Sequence, residues 1–255
     1  MADFSVDLTG RVAVVTGASR RQGIGAAICR MLAGHGADVL FTHWQPYDRE
    51  QEYGADDDGP DALRRELRVL GVRAEVLEID LADPAAPSRV LDAAEARLGP
   101  PMILVNNAAH SVNADYRTLD AASLDAHYAV NVRATVLLSV EFARRYQGGR
   151  IISLSSGQGV GPMPSELSYA TTKGAIEAFT SSLAPDVSAL GITVNAIDPG
   201  ATDTGWMTEE LKDHIRNELG FGRIGLPADA ARLILFLASD AGAWITGQTI
   251  HSRGA

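Results

Sequence analysis

Residues 11–33 read RVAVVTGASRRQGIGAAICRMLA, and the order of residue types in this stretch decides the fold. Val12 to Val15 is a β-branched run of strand length. It breaks into a turn holding Gly17, Gly23 and Gly25, and a helical segment with Ala26, Ala27, Ile28 and Leu32 follows at once. A strand that turns through glycines into a helix opens a βαβ unit. At such a turn glycine lets main-chain N–H groups approach a pyrophosphate, and the helix N-terminus adds the positive end of its dipole.

Outward from this stretch the alternation continues. Runs rich in β-branched residues at 11–16, 38–42, 73–79, 102–106, 150–155, 192–197 and 246–251 alternate with helical segments near 23–33, 60–70, 84–98, 119–145, 168–189 and 228–238. Strands joined through helices pair in parallel. The expectation is an α/β fold, a single doubly wound domain over residues 1–255 with a seven-stranded parallel sheet and helices on both faces. Two segments break the rhythm. Residues 43–61 form an acidic loop with seven acids and one base, Arg49, and loops longer than about 12–15 residues are functional or mobile insertions. Residues 199–226, punctuated by Gly and Pro, hold an amphipathic stretch at 206–219. They follow a strand's C-terminal end, where open α/β sheets bind ligands, so 200–226 reads as a substrate lid.

Charge and composition exclude several classes. The 22 Lys and Arg against 32 Asp and Glu leave a net charge of −10, which argues against nucleic acid or an anionic membrane as partner. The single Cys29 allows no internal disulfide and reads as a small buried hydrophobe. The six His residues lack metal-ligand spacing, so no metal is expected. MADFSVDLTGR lacks the features of a secretory leader, and no apolar run approaches the ~20 residues of a membrane span. The expected location is the cytoplasm.

The chemistry concentrates in Tyr169-Ala170-Thr171-Thr172-Lys173. An i, i+4 spacing puts phenol and ammonium on one helix face. A phenol of pKa ~10 is a poor base at neutral pH, and a nearby cation favours phenolate. The pair can thus give and take a proton near neutrality. Cofactor choice is read at the end of the second strand, where Thr42-His43 offers no carboxylate to a ribose 2′-hydroxyl, while Arg20 and Arg21 suit a 2′-phosphate. NADP(H) is preferred, and NAD(H) is possible through a carboxylate of the acidic loop.

Over essentially its whole length the chain resembles the short-chain dehydrogenase/reductase family, a Rossmann-type fold, and most closely its 3-oxoacyl-thioester reductase branch. The resemblance rests on the turn at 16–25, Asp80-Leu81, Asn106-Asn107-Ala108-Ala109, Asn131, Ser156 thirteen residues before Tyr169, Lys173, and Pro199-Gly200 followed by Thr202 and Thr204. It implies an NADP(H)-dependent reductase of a small carbonyl compound, reversible as an alcohol dehydrogenase. On the resemblance, Tyr169 exchanges a proton with the substrate oxygen and Ser156 polarises that oxygen. Lys173 lowers the Tyr169 pKa and bonds the nicotinamide ribose, and Asn131 holds a water linking Lys173 to solvent. The phosphate and adenosine side falls to Gly17, Ser19, Arg20, Arg21, Gly23, Ile24, Gly25 and His43, with Asp80 on the adenine amine and Leu81 beside the ring. Asn106 and Ala108 would line the trough, and Pro199, Gly200, Thr202 and Thr204 would bracket the carboxamide and diphosphate. The helices at 119–145 and 168–189 resemble the family's oligomer interface, implying a homotetramer or homodimer.

Some residues depart from the family pattern. Five residues separate Gly17 from Gly23, a longer turn than usual, and the chain ends Arg253-Gly254-Ala255 where an acid and two glycines are common. Enoyl-thioester reductases of the same superfamily share such a turn, but they have a longer Tyr-to-Lys spacing and lack this Ser. Strand alternation turns Ser155 and Ser156 to opposite faces, and the spacing to Tyr169 selects Ser156. Substrate candidates are Gln158, Met163, Trp206 and Met207, a mainly apolar set that suits a ketone or 3-oxoacyl-type substrate. His110, directly after the trough, is a further candidate, although a solvent-facing loop histidine is the simpler reading. The alternatives are a catalytically idle dinucleotide-binding regulator on the same fold, or an NAD-dependent alcohol dehydrogenase.

Overall fold

The structure, a computed structural model, describes residues 6–254. Residues 1–5, which open the stretch read for a leader, and residue 255 lie outside the described residues. Seven strands, β1 (Val12–Val15), β2 (Asp38–His43), β3 (Ala74–Glu78), β4 (Ile103–Asn106), β5 (Arg150–Leu154), β6 (Thr193–Asp198) and β7 (Thr249–His251), form one sheet. Its order is β3-β2-β1-β4-β5-β6-β7 with every neighbour parallel, as the sequence pattern implies.

The central strands are apolar throughout because both faces of the sheet are covered. Alternate residues divide between two cores. Ala13, Val15, Val39, Phe41, Ile103 and Val105 face one layer, built by α1 (Ile24–Ala33), α3 (Gly59–Val69) and α9 (Pro227–Ala238). Val12, Val14, Leu40, Leu104 and Ile151 face the other, built by α4 (Ala86–Arg97), α6 (Thr135–Arg145) and α7 (Leu167–Val187), with Phe142 fully buried among them. Strand order reverses at β1, which lies between β2 and β4, and this opens a crevice at the strands' C-terminal ends.

Three elements differ from expectation. The single helix expected at 119–145 is α5 (Ala121–His127), a π-helical stretch Tyr128–Ala134 and then α6. Asp120 caps its start by accepting the Ser123 N–H at 2.7 Å. Residues 43–61 are not a bare loop. They contain the short helix α2 (Gln45–Arg49), with Pro46 in its first turn, and fold on themselves as Gln45 Nε2 donates to the carbonyls of Asp56 and Asp57. The last strand begins at Thr249 rather than 246, because Gly247 takes φ +73°. In the lid, α8 (Glu209–Glu218) occupies the amphipathic stretch, capped by Thr208 on the Leu211 N–H. Among the described residues no helix is long and apolar enough to cross a membrane, and no cluster of three or more His, Cys, Asp or Glu could hold a metal.

Candidate active site

The turn after β1 is held shut from the β4 side. Thr16 Oγ1 accepts the N–H groups of Asn107 (3.0 Å) and Ala108 (3.1 Å), and Asn107 Nδ2 donates to the carbonyls of Thr16 (2.9 Å) and Gly17 (2.8 Å). This packing is so close that a Cβ on Gly17 would lie 2.5 Å from Ala108 Cα. Helix α1 then starts at Ile24 with no side-chain cap and no acid in its first turn. Its unpaired N–H groups and dipole therefore face the turn without an internal anion, which fits the pyrophosphate of a dinucleotide.

The other residues assigned to that side divide. Ser19 Oγ accepts the Trp44 N–H at 3.4 Å and hydrogen-bonds Asp48. Arg20 donates to the Thr204 carbonyl (3.2 Å) and Oγ1 (3.4 Å), and its guanidinium lies 3.8 Å from the Tyr53 ring centroid, so it is engaged rather than free. Arg21 is exposed. His43 ends β2 with its Nδ1 buried and unpartnered, and burial lowers its pKa. Asp80 Oδ1 accepts the Ala82 N–H at 2.8 Å, and Leu81 is buried beside it. Asn106 is a correction: its amide turns to α6 and β5, donating to Ser139 Oγ (3.0 Å) and Ser153 Oγ (3.2 Å), and Asn107 is the residue that holds the turn. The strand's period of two separates their directions. Gly200 takes φ +66° against Arg253, and Thr202 Oγ1 donates to the Pro199 and Gly200 carbonyls.

Helix α7 carries Tyr169 and Lys173 one turn apart, and Ser156 hydrogen-bonds the Tyr169 phenol. Lys173 is buried, its Nζ donating to the Leu154 carbonyl at 2.7 Å and lying 5.3 Å from the Tyr169 ring centroid. Burial above all, then the Glu166 carboxylate, pushes the Tyr169 pKa up to about 12, and the Ser156 bond opposes the shift. Burial brings Lys173 down to about 8. Desolvation of the phenolate dominates at Tyr169, and the Lys173 ammonium is turned toward the Leu154 carbonyl. Ser155 faces the opposite way, with its Oγ donating to Glu177 Oε1 at 2.6 Å.

Asn131 lies in the π-helical stretch, and its side chain is a clamp. Oδ1 accepts the His110 N–H (2.7 Å), while Nδ2 donates to the His110 carbonyl (2.9 Å) and to Thr172 Oγ1 (3.0 Å). The side-chain amide thereby fixes the loop after β4, and a π-helical bulge at a functional position is common. His110 is not solvent-facing: its ring stands 5.2 Å from Tyr47 and 4.6 Å from His127, edge-on to the latter. Gln158 is also turned away, donating to Glu177 Oε1 (2.6 Å) and Ser155 Oγ (3.1 Å). Of the other substrate candidates Met207 is buried, Met163 partly buried and Trp206 exposed.

Tyr47, Asp48, Glu166 and His127 have no part in the sequence expectation. Glu166 is the residue just before α7 begins, three positions ahead of Tyr169. His127 is fully buried and satisfied, with Nδ1 2.7 Å from the Ser123 carbonyl and Nε2 accepting the Val112 N–H.

Known proteins match this chain along most of its length. Residues 17–254 match the family model described as enoyl-(acyl carrier protein) reductase. The chain is 50% identical over 249 residues to the uncharacterized oxidoreductase YjdA of Bacillus subtilis, covering 96% of each. It is 36% identical over 258 residues to an NADPH-dependent aldehyde reductase-like protein, chloroplastic, of Arabidopsis thaliana, covering 97% of this chain and 94% of that one. Among solved structures, a blue fluorescent protein from a metagenomic library in complex with NADPH superposes with a TM-score of 0.87 at 33% identity, covering 97% of this chain and 98% of that one.

Proposed function

We propose, from the premise that the chain belongs to the short-chain dehydrogenase/reductase family and is an oxidoreductase using a nicotinamide dinucleotide, that it reduces the carbonyl group of a small ketone or 3-oxoacyl-type substrate with NADPH. The reaction is reversible, as an alcohol dehydrogenase. The observation that carries this reading is the Ser156–Tyr169–Lys173 arrangement. When bound, the dinucleotide supplies the hydride. Tyr169, protonated at neutral pH, donates its proton to the carbonyl oxygen as charge develops there, and Ser156 hydrogen-bonds the same oxygen. Lys173, on the next turn of the same helix, would hold the nicotinamide ribose. Asn131 acts one step back, holding the His110 loop.

NADPH is favoured by the absence of an acid at Thr42-His43, by the exposed Arg21 in the turn, and by relatives named for NADPH. One observation favours the NAD reading: Asp48 is buried beside Ser19 with Oδ2 unpartnered, an acceptor suited to a ribose hydroxyl. Fluorescence titration separates the two. NADPH is expected to bind at least about tenfold more tightly than NADH, the worth of one charge-assisted contact. Tighter NADH would transfer the selecting role to Asp48.

The activity itself is tested by NADPH oxidation with a panel of ketones, aldehydes and 3-oxoacyl thioesters. Tight dinucleotide binding without turnover of any carbonyl compound would favour the idle regulator. Assembly as a homodimer or homotetramer follows from the same family reading and is supported by Tyr128 and Leu137, exposed on the Tyr128–Ala134 and α6 helices. We place the protein in the cytoplasm because its one cysteine, Cys29, is free and buried, as in a reducing compartment.

A further inference from the structure

The acidic insertion does not hang free in solvent. It leaves β2 at Trp44, whose N–H reaches Ser19 in the phosphate turn, and it ends where α3 begins. In between it makes contacts on both rims of the crevice. On the β4 side, the Tyr47 hydroxyl donates to the Ser111 carbonyl (3.2 Å) and accepts the Ser111 N–H (3.0 Å), while its ring packs on His110. On the turn side, Tyr53 lies under the Arg20 guanidinium, which also holds Thr204 in the lid. One hydroxyl satisfying both main-chain groups of a residue 64 positions away is a built contact, not a chance approach.

A segment pinned to the turn after β1 and to the loop after β4 crosses the crevice between them, where a dinucleotide lies in an open α/β sheet. We propose that residues 44–58 are a strap over the bound dinucleotide, latched by Tyr47 on Ser111 and by Tyr53 on Arg20, and that the latch governs dinucleotide release. The inference rests on dinucleotide binding in this crevice and does not depend on which carbonyl compound is reduced.

The latches sit on the two rims, Tyr47 at Ser111 and Tyr53 at Arg20. Beside the Arg20 latch, the strap tip, the turn and the lid border a cavity of about 520 Å³ lined by Arg20, Arg21, Tyr53, Asp56 and Thr204. Charge also requires a latch. Residues 43–61 carry seven acids against Arg49 alone, so pyrophosphate beneath them would push the segment outward. The Tyr47 hydroxyl and the Arg20 guanidinium counter that push, and Arg49 neutralises part of it by pairing with Asp57 at 3.0 Å.

The test uses the full chain and stopped-flow displacement of bound NADPH or NADH, read by nicotinamide fluorescence. Tyr47→Phe keeps the ring on His110 and removes only the hydroxyl. Release is expected to be about tenfold faster in the variant, as loss of a hydrogen-bonded hydroxyl implies. As a second readout, trypsin cleavage after Arg49, followed by mass spectrometry, should be suppressed by saturating dinucleotide in the wild type and not in the variant. Equal release rates with equal protection overturn the strap. Slower release from the variant overturns it too, since the segment would then compete with the dinucleotide. Failure of every carbonyl substrate leaves both readouts standing, whereas a wild type that binds neither dinucleotide brings down this inference together with the cofactor reading.

Discussion

Replacing Tyr169 by Phe is expected to lower kcat/KM for carbonyl reduction by about 10²–10⁴-fold, the range for loss of a positioned general acid. Dinucleotide affinity, read by fluorescence titration, should hardly change, because the ring stays in place. Equal turnover by variant and wild type would refute the proposed proton donor. The pH dependence follows from the two shifted groups. Tyr169, raised to about 12 by burial and Glu166, keeps its proton through the neutral range, so reduction does not wait on its ionisation. Lys173, lowered to about 8 by burial, is charged below that pH and neutral above it. Reduction should therefore be level at neutral pH and fall as pH rises through about 8, where the ammonium is lost. Alcohol oxidation needs the phenol to lose its proton, so it should gain as pH rises. A rate of reduction that climbs above pH 8 would show that the Lys173 charge is not needed.

Gly17→Ala is expected to destabilise the fold and remove dinucleotide binding together. At φ +74° an alanine pays about 1–2 kcal/mol for the left-handed backbone. Its Cβ would also sit 2.5 Å from Ala108 Cα and 2.8 Å from Ala108 N, atoms held by the Thr16 and Asn107 hydrogen bonds. Overpacking of this kind adds about 1–3 kcal/mol. The sum, about 2–5 kcal/mol, corresponds to a fall in Tm of roughly 5–15 °C for a chain of this size. Gly10→Ala is the control. Gly10 takes φ +80° with nothing within 4 Å of the added Cβ, so calorimetry should show only the conformational cost. If both variants lose the same Tm and Gly17→Ala still binds dinucleotide normally, the close contact at Ala108 has no functional weight.

Local patterns in the sequence were enough for the sheet. The β-branched runs and helical periods fall within a few residues of the observed elements, and strand alternation foretold that Ser155 and Ser156 face apart. What local pattern missed has a common cause. Asn106 and Asn107 are adjacent and chemically identical, and only the pairing of β4 with β5 shows that one faces Ser139 and Ser153 while the other reaches Thr16. Gln158 had the right position for a substrate contact but found Glu177, nineteen residues later, one turn beyond Lys173. The Lys173 ammonium was expected to act on the phenol beside it, yet burial sets both pKa values, and burial belongs to the packed tertiary structure.

Residues close together in the chain, such as Tyr169 and Lys173 on α7 or the glycines of the first turn, were placed by sequence alone, because helix and strand periods fix their directions. The acidic insertion is the opposite case. Its length and composition predicted only a functional or mobile acidic insertion, since nothing local tells Tyr47 that Ser111 lies opposite. Parallel pairing of β1 with both β2 and β4 brings the end of β2 beside the loop after β4, and only then can the Tyr47 hydroxyl reach Ser111. Charge set the character of that segment, and the order of strands decided its place.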